Sequence, residues 1–189
     1  MTITILGPTA TGKTRIAAVL AKHISGEIIS ADSRQVYRGM DIGTGKDLED
    51  YTIDGQSIPC HLIDVVEPGI EYNVSQYQQL AQKAIKEIEQ RGNIPIICGG
   101  SGMYIEALLK GYKLFPVPDN PALRAELEQQ TDEQLTALLA SFKALHNHTD
   151  TCERPRLLRA IEIEVYYQEH PELQKACQAL PSVIFGLRG

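Results

Sequence analysis

Gly7-Pro8-Thr9-Ala10-Thr11-Gly12-Lys13-Thr14 carries two glycines separated by four residues and followed by Lys and Thr, which is the P-loop spacing. Its flanks suit that reading. Thr2-Ile3-Thr4-Ile5-Leu6 ahead of it reads as a short buried strand, and Arg15 to Ile24 behind it reads as a helix. A strand that turns through glycine into a helix N-terminus aims backbone N–H groups at one point, where the helix dipole also attracts a phosphate. Lys13 adds a mobile positive charge, and the Thr14 hydroxyl suits a magnesium ion. A plain glycine turn with the same letters would lack those flanks. The segment Gly7 to Thr14, through Pro8, Thr9, Ala10, Thr11 and Gly12, is therefore expected to bind a phosphate or diphosphate.

The 189 residues can bury one core and a small helical attachment. An apolar fraction of 43% and a charged fraction of 22% are ordinary for a globular chain. No apolar run approaches the ~18 residues of a membrane span, and Met1 leads straight into the first strand. A cytoplasmic protein with no membrane contact is expected. Cys60, Cys98, Cys152 and Cys177 lie far apart, without zinc or redox spacing, so reduced interior thiols are expected. The formal charge of −6 has the wrong sign for a general nucleic-acid binder. Local basic patches are still present: Arg154, Arg156 and Arg159 fall close together, with His146 and His148 just upstream.

Further along, Gly26 reads as the end of the first helix, and Glu27-Ile28-Ile29-Ser30 as a second strand. The segment 39–59 reads mostly as loop, and Leu62-Ile63-Asp64-Val65-Val66 as a third strand. Ser75 to Arg91 has apolar residues at helical spacing, with Ser75 and Gln78 as a capping box and Gly92 past the end. Ile94-Pro95-Ile96-Ile97-Cys98 reads as a fourth strand that runs into Gly99-Gly100-Ser101-Gly102 and a helix over 103–110. Strands alternating with helices indicate an α/β fold: a P-loop NTPase-like parallel sheet with helices on both faces. The Leu-, Ala-, Glu- and Gln-rich stretch 121–146 adds a small helical insertion, read as two helices broken near Thr131-Asp132. Pro155 opens another helix, with Leu157, Leu158, Ile161 and Val165 on one stripe and Arg156 and Arg159 on another face. Val183 to Leu187 reads as the last strand. The expected division is a core over 1–118, an insertion over 119–153, and a helix and strand over 154–189 that return to the core.

Ligands of such sheets collect at the carboxyl ends of the strands. The P-loop, Asp32-Ser33 and the loop 99–102 should meet there. Asp32 ends a strand read as the neighbour of the P-loop strand, so its carboxylate should face the phosphate space. There it can accept a proton or hold magnesium through water; Asp-Ser is also ordinary turn chemistry. The loop 99–102 is either a second anion-binding loop or a tight turn. The three arginines are either phosphate contacts or a solvated helix face.

Together these pieces resemble the tRNA dimethylallyltransferase, or tRNA isopentenyltransferase, family. The matching stretches are GPTATGKT at 7–14, SADSRQVYRGMDIGTGK at 30–46, HLIDVVEP at 61–68, IPIICGGSGMYIEALLKG at 94–111 and RPRLLRAIEI at 154–163. The second and fourth are far more specific than the P-loop. The resemblance implies that the loop holds dimethylallyl diphosphate, that the acceptor is N6 of an adenine beside the anticodon of tRNA, and that Mg2+ assists. It implies Asp32 as general base, with Lys13 and Ser101 in the catalytic set; Ser101 stands where the family usually has Thr. It further implies tRNA contact at Asp32, Ser33, Arg34, Gln35, Ser101, Arg124, Pro155, Arg156, Leu157, Leu158 and Arg159, and metal contact at Thr14. A monomer is expected. The chain departs from the family where Pro155 replaces a usual glutamine. It also stops short of the family's C-terminal region, as a fragment or a short homologue would. Transfer to free AMP, ADP or ATP, a small-molecule kinase and a non-catalytic diphosphate-binding remnant are the competing readings.

Overall fold

The first strand, β1 (Thr2–Leu6), ends at the P-loop, and α1 (Lys13–Ile24) starts from it, in the computed structural model of the chain. The structure describes residues 1–46, 48–112, 114–142, 153–174 and 179–188. β2 (Gly26–Ser30) follows, then a 3-10 turn over Leu48–Tyr51 and a small hairpin of β3 (Thr52–Ile53) and β4 (Gln56–Ser57). Next come β5 (Cys60–His61), α2 (Val74–Gln90), β6 (Ile94–Gly99) and α3 (Gly102–Lys110). Then come α4 (Pro121–Leu127), α5 (Asp132–Phe142), α6 (Arg154–Glu169), α7 (Pro171–Gln174) and β7 (Ser182–Gly186).

The main sheet runs β5-β2-β6-β1-β7, and every pairing in it is parallel. Consecutive isoleucines in β2 and β6 point to opposite faces, so both faces must be covered. On one face Ile28 and Ile96 join Ile3 and Ile5 against Ala17, Ala18 and Ala21 of α1. On the other, Ile29 and Ile97 pack with Ala81, Ile85 and Ile88 of α2 and Ile105 and Leu108 of α3. Each fully buried isoleucine contributes about 2–3 kcal/mol of apolar transfer. The alanines let α1 lie close to the sheet. The fold is thus the expected P-loop NTPase-like one, with helices on both faces. No helix among the described residues is long and apolar enough to cross a membrane.

Several local expectations are corrected. The run 62–66 is not a strand: Leu62 and Asp64 take left-handed φ values of 63° and 54°, and pairing with β2 stops at His61. Val66 makes only an isolated bridge to Tyr37. The cap of α2 is Asn73 with Gln76, not Ser75 with Gln78. Ser75 instead donates to the Leu114 carbonyl, and buried Gln78 donates to the carbonyls of Ala107 (2.8 Å) and Tyr112 (2.9 Å). Ser25, not Gly26, takes the left-handed cap of α1. A Cβ at Gly26 would crowd Ile96 Cδ1 at 2.8 Å and, less yieldingly, the Ile94 carbonyl oxygen at 3.1 Å and Ala21 Cα at 3.2 Å. Cys60 and Cys98 carry free thiols, and burial pushes each up to about 12. Cys152, Cys177, His146 and His148 lie outside the described residues.

The chain divides into a unit of Met1–Leu114 with Gln178–Gly189 and a unit of Phe115–Cys177. This differs from the expected boundaries. α6 belongs with α4 and α5 because its stripe of Leu157, Leu158 and Ile161 packs on Leu127, Leu135 and Leu139.

At the sheet end opposite the P-loop, Glu27 is 3% exposed and heavily bonded. Its carboxylate accepts Arg91 Nε at 2.8 Å, Arg91 Nη2 at 2.7 Å and Asn93 Nδ2 at 2.8 Å, and lies 2.7 Å from His61 Nε2. The Arg91 bonds outweigh burial and bring the carboxyl from 4.5 down to about 2. Because the folded value lies below the unfolded one, this stabilisation is complete above pH 4.5 and is lost as the pH falls toward 2. We expect Glu27→Gln to cost about 2–3 kcal/mol at pH 7 and little at pH 2. Urea denaturation at the two pH values checks this; an equal loss at both would contradict it.

Candidate functional site

The P-loop is shaped by its backbone. Gly12 lies at φ 74° and Ala10 at φ 64°, both left-handed. Gly12 has no side chain to cap α1, so the first-turn N–H groups remain directed into the loop. Thr11 Oγ1 donates to the Pro8 carbonyl at 2.9 Å, and Lys13 Nζ donates to the same oxygen. The ammonium therefore lies across the loop. Thr9 stands exposed, and the half-buried Thr14 hydroxyl sits beside the Tyr51 phenol, which burial keeps neutral. Gly7 is fixed by a close approach, since a Cβ there would meet the Leu187 carbonyl oxygen at 2.7 Å.

β6, not β1, is the neighbour of β2, so the expected adjacency of Asp32 to the P-loop strand is corrected. The two lie two strand spacings apart, roughly 10 Å. The loop after β6 fills the interval. A Cβ on Gly100 would come 3.3 Å from the Gly7 carbonyl, so this loop touches the start of the P-loop. On its other side the Ser33 N–H donates to Ser101 Oγ at 3.0 Å, and the two serine hydroxyls are 3.3 Å apart. Ser101 also donates its own N–H to the Ala31 carbonyl at 3.1 Å. The three strand ends thus meet at one rim, as expected, but in the order P-loop, 99–102, Asp32.

Asp32 is half-buried, and its Oδ1 accepts the Arg34 N–H at 2.9 Å. No hydrogen bond among the described residues engages its Oδ2. The Tyr104 phenol is close by: burial, then Tyr37 and Asp32, raise its pKa. The Arg34 guanidinium is exposed. Gln35 behaves otherwise. It is 8% exposed, accepts from Ser30 Oγ at 2.9 Å and donates to the Gly45 carbonyl at 2.9 Å, so its amide holds the chain rather than facing out. Beside the P-loop lies a cavity of about 580 Å³, lined by Leu6, Pro8, Ile105, Leu109, Leu180 and Ile184 among others.

The second unit holds Arg124, Pro155, Arg156, Leu157, Leu158 and Arg159. Arg124, Arg154, Pro155, Leu158 and Arg159 line a cavity of about 570 Å³. The arginines are not free. Arg124 Nη2 bonds Asp119 (2.6 Å) and buried Glu162 (2.9 Å), and Arg159 bonds Glu162 and the Val117 carbonyl. Burial alone would raise the Glu162 carboxyl, but Arg124, the Asn120 N–H and Arg159 overcome it and bring it down to about 2. Arg154 is tied to Asp132, and Arg156 to Glu153 at 3.2 Å. Leu157 and Leu158 are core residues.

Two features escaped the sequence reading. Asp54-Gly55, with φ 50° and 76°, forms the turn between β3 and β4; Asp-Gly is the signal that would have found it. The second is Lys46, whose side chain is fully buried between Asp41 and Asp64. No local pattern announces that clasp.

Residues 35–187 match the family described as IPP transferase. A tRNA dimethylallyltransferase 2 of Bacteroides fragilis is 55% identical over 185 residues, covering 98% of this chain and 60% of the relative. A tRNA dimethylallyltransferase 1 of Parabacteroides distasonis matches with the same identity and coverage. The chain thus spans about 60% of the length of these curated relatives. Among solved structures, a tRNA isopentenylpyrophosphate transferase of Staphylococcus epidermidis has a TM-score of 0.58 and 36% identity, covering 97% of this chain and 62% of its own. A eukaryotic dimethylallyltransferase acting on tRNA has a TM-score of 0.74 and 25% identity, covering 98% of this chain and 48% of its own. The likeness extends well beyond the P-loop to nearly every described element, and the chain belongs to the IPP transferase family.

Proposed function

We propose that this chain carries the catalytic rim of a tRNA dimethylallyltransferase, moving a dimethylallyl group from its diphosphate to N6 of an adenine in tRNA. The observation that supports it most is the Ser33–Ser101 link. It holds a carboxylate with one open oxygen one loop away from a diphosphate cradle. The names of the relatives agree with that reading.

In this mechanism the adenine N6 attacks C1 of the dimethylallyl group as the C1–O bond breaks, and the diphosphate leaves with the electron pair. Negative charge grows on the leaving oxygens. The loop N–H groups and Lys13 stabilise it. Asp32 Oδ2 takes the N6 proton. Ser101 fixes the Asp32 turn and presents a hydroxyl to the reaction space. The apolar cavity beside the P-loop suits the prenyl tail. Thr14 offers a hard oxygen, which fits Mg2+, an ion that takes few protein ligands and the rest from water and phosphate. When bound, the ion neutralises diphosphate charge. Arg34 and the arginine-bearing face of α6 are the surfaces proposed to meet the tRNA, although the unit around α4–α6 carries more carboxylates than cations; Arg156 is more accessible than Arg124 or Arg159.

The test is transfer of labelled dimethylallyl from its diphosphate, with magnesium, to unmodified tRNA or to AMP. Label in the tRNA adenine is expected. Label in AMP alone, or phosphorylation of a small acceptor by ATP, would overturn the reading. Diphosphate binding without transfer to either acceptor would make the chain a non-catalytic remnant.

A further inference from the structure

We propose that the loop from Gly39 to Gly45 is a braced apolar wedge, with Ile42 packing against the bases beside the acceptor adenine and holding that adenine out of its stack. Ile42 is 99% exposed, and Met40 two residues before it is 45% exposed. A single exposed isoleucine is unremarkable in itself. This one stands on a loop that the rest of the unit works to hold still. Lys46 Nζ, with a fully buried side chain, donates to the Tyr37 carbonyl at 2.8 Å, to Asp41 Oδ1 at 3.1 Å and to Asp64 Oδ1 at 2.5 Å. A buried ammonium persists only where such partners meet it. Gln35 fastens the Gly45 carbonyl to the end of β2, and Thr44 Oγ1 donates to the Met40 carbonyl at 2.6 Å. Gly39, Gly43 and Gly45 take the positive φ values, 68°, 79° and 65°, that let the chain double back.

A fastened loop that keeps an apolar side chain in water is pre-organised for contact. Its place in the chain names the partner. The segment begins at the Asp32 turn, and Arg34 offers an exposed guanidinium with no partner among the described residues. An apolar tip eight residues along the chain from an unpaired cation, on a loop tied through Gln35 to the end of β2, suits unstacked bases and their phosphates. Taking a base out of its stack costs a few kcal/mol, and an inserted apolar side chain replaces part of the lost stacking. The inference rests on the tRNA reading above and adds the device that exposes N6.

The test uses the full chain and an anticodon stem-loop carrying 2-aminopurine next to the acceptor adenine. Wild type should raise the probe's fluorescence on binding and should transfer the prenyl group. Ile42→Ala should lose most of the fluorescence rise and fall roughly 10- to 100-fold in kcat/KM for the stem-loop. Its affinity for dimethylallyl diphosphate and its thermal midpoint should match wild type, and Ile42→Met should recover transfer. Wild-type transfer or a full fluorescence rise in Ile42→Ala would overturn the wedge while leaving the tRNA reading intact. A wild-type chain that neither transfers nor changes the probe's fluorescence would overturn both.

Discussion

Asp32→Asn is expected to lower the single-turnover rate of prenyl transfer by about 10²–10⁴-fold, the usual contribution of a general base. Asparagine keeps the oxygen that accepts the Arg34 N–H, so the turn and its link to Ser101 should survive. What is lost is the proposed proton acceptor at Oδ2. The proposed diphosphate cradle, Gly7 to Thr14, lies one loop away, and the affinity for dimethylallyl diphosphate should stay within about twofold of wild type, as expected for a base acting only in the chemical step. Rapid-quench measurement with labelled donor and calorimetric binding of the donor separate these effects. A near-normal rate would remove Asp32 from the role of base. A parallel loss of donor affinity would mean that the carboxylate shapes the cradle instead.

Gly99→Ala is expected to have the largest effect on stability. An added Cβ would lie 2.2 Å from the Ala31 carbonyl oxygen and 2.4 Å from its carbon. Neither atom can yield cheaply, because Ala31 donates to the Cys98 carbonyl at 2.8 Å and accepts from the Ser101 N–H at 3.1 Å. Relief requires β2 and β6 to part at the rim, at a cost of about 3 kcal/mol or more. The same parting would carry Asp32 away from Ser101, so transfer should fall along with the urea midpoint. Gly102→Ala is the matched comparison. No atom lies within 4 Å of its added Cβ, and it opens α3, so its stability should change by less than about 1 kcal/mol, in the favourable direction. Equal effects of the two substitutions would show that close approach at Gly99 is not what demands glycine.

The sheet, its helices and the P-loop were legible because their signals are local. Ile28-Ile29 and Ile96-Ile97 mark strands buried on both faces, and GPTATGKT states its own turn. Strand order was not legible. That β6 lies between β1 and β2 depends on which edges meet after the whole chain has collapsed, and no spacing near Asp32 records it. The run 62–66 fails to form a strand for a related reason. Leu62 to Val66 is apolar enough for a strand, but left-handed residues at 62 and 64 send it round the 35–38 segment, where it serves the Lys46 clasp. In the second unit the arginine motif was visible, and so in principle were the local pairs Arg159–Glu162 and Arg156–Glu153; its pairs to Asp119 and Asp132 were not, because those carboxylates approach from separate stretches of chain. Gln35 shows the same limit: a polar residue in a recognition motif can be spent on holding the motif together.

The strand β7 leaves its mark on the timing of the site. Thr4 Oγ1 and Ser182 Oγ are 2.8 Å apart across 178 residues of chain, and Leu187 donates to the Leu6 carbonyl at 2.8 Å where the P-loop begins. A nascent chain emerging from the ribosome can pair β1 with β6 long before it can pair β1 with β7. Until residue 187 is free, one edge of β1 stays open and Gly7 lacks the backbone it packs against. The P-loop, first in the sequence, is among the last parts of the sheet's rim to be completed, and the half-built sheet carries a bare edge for the whole interval of synthesis between them.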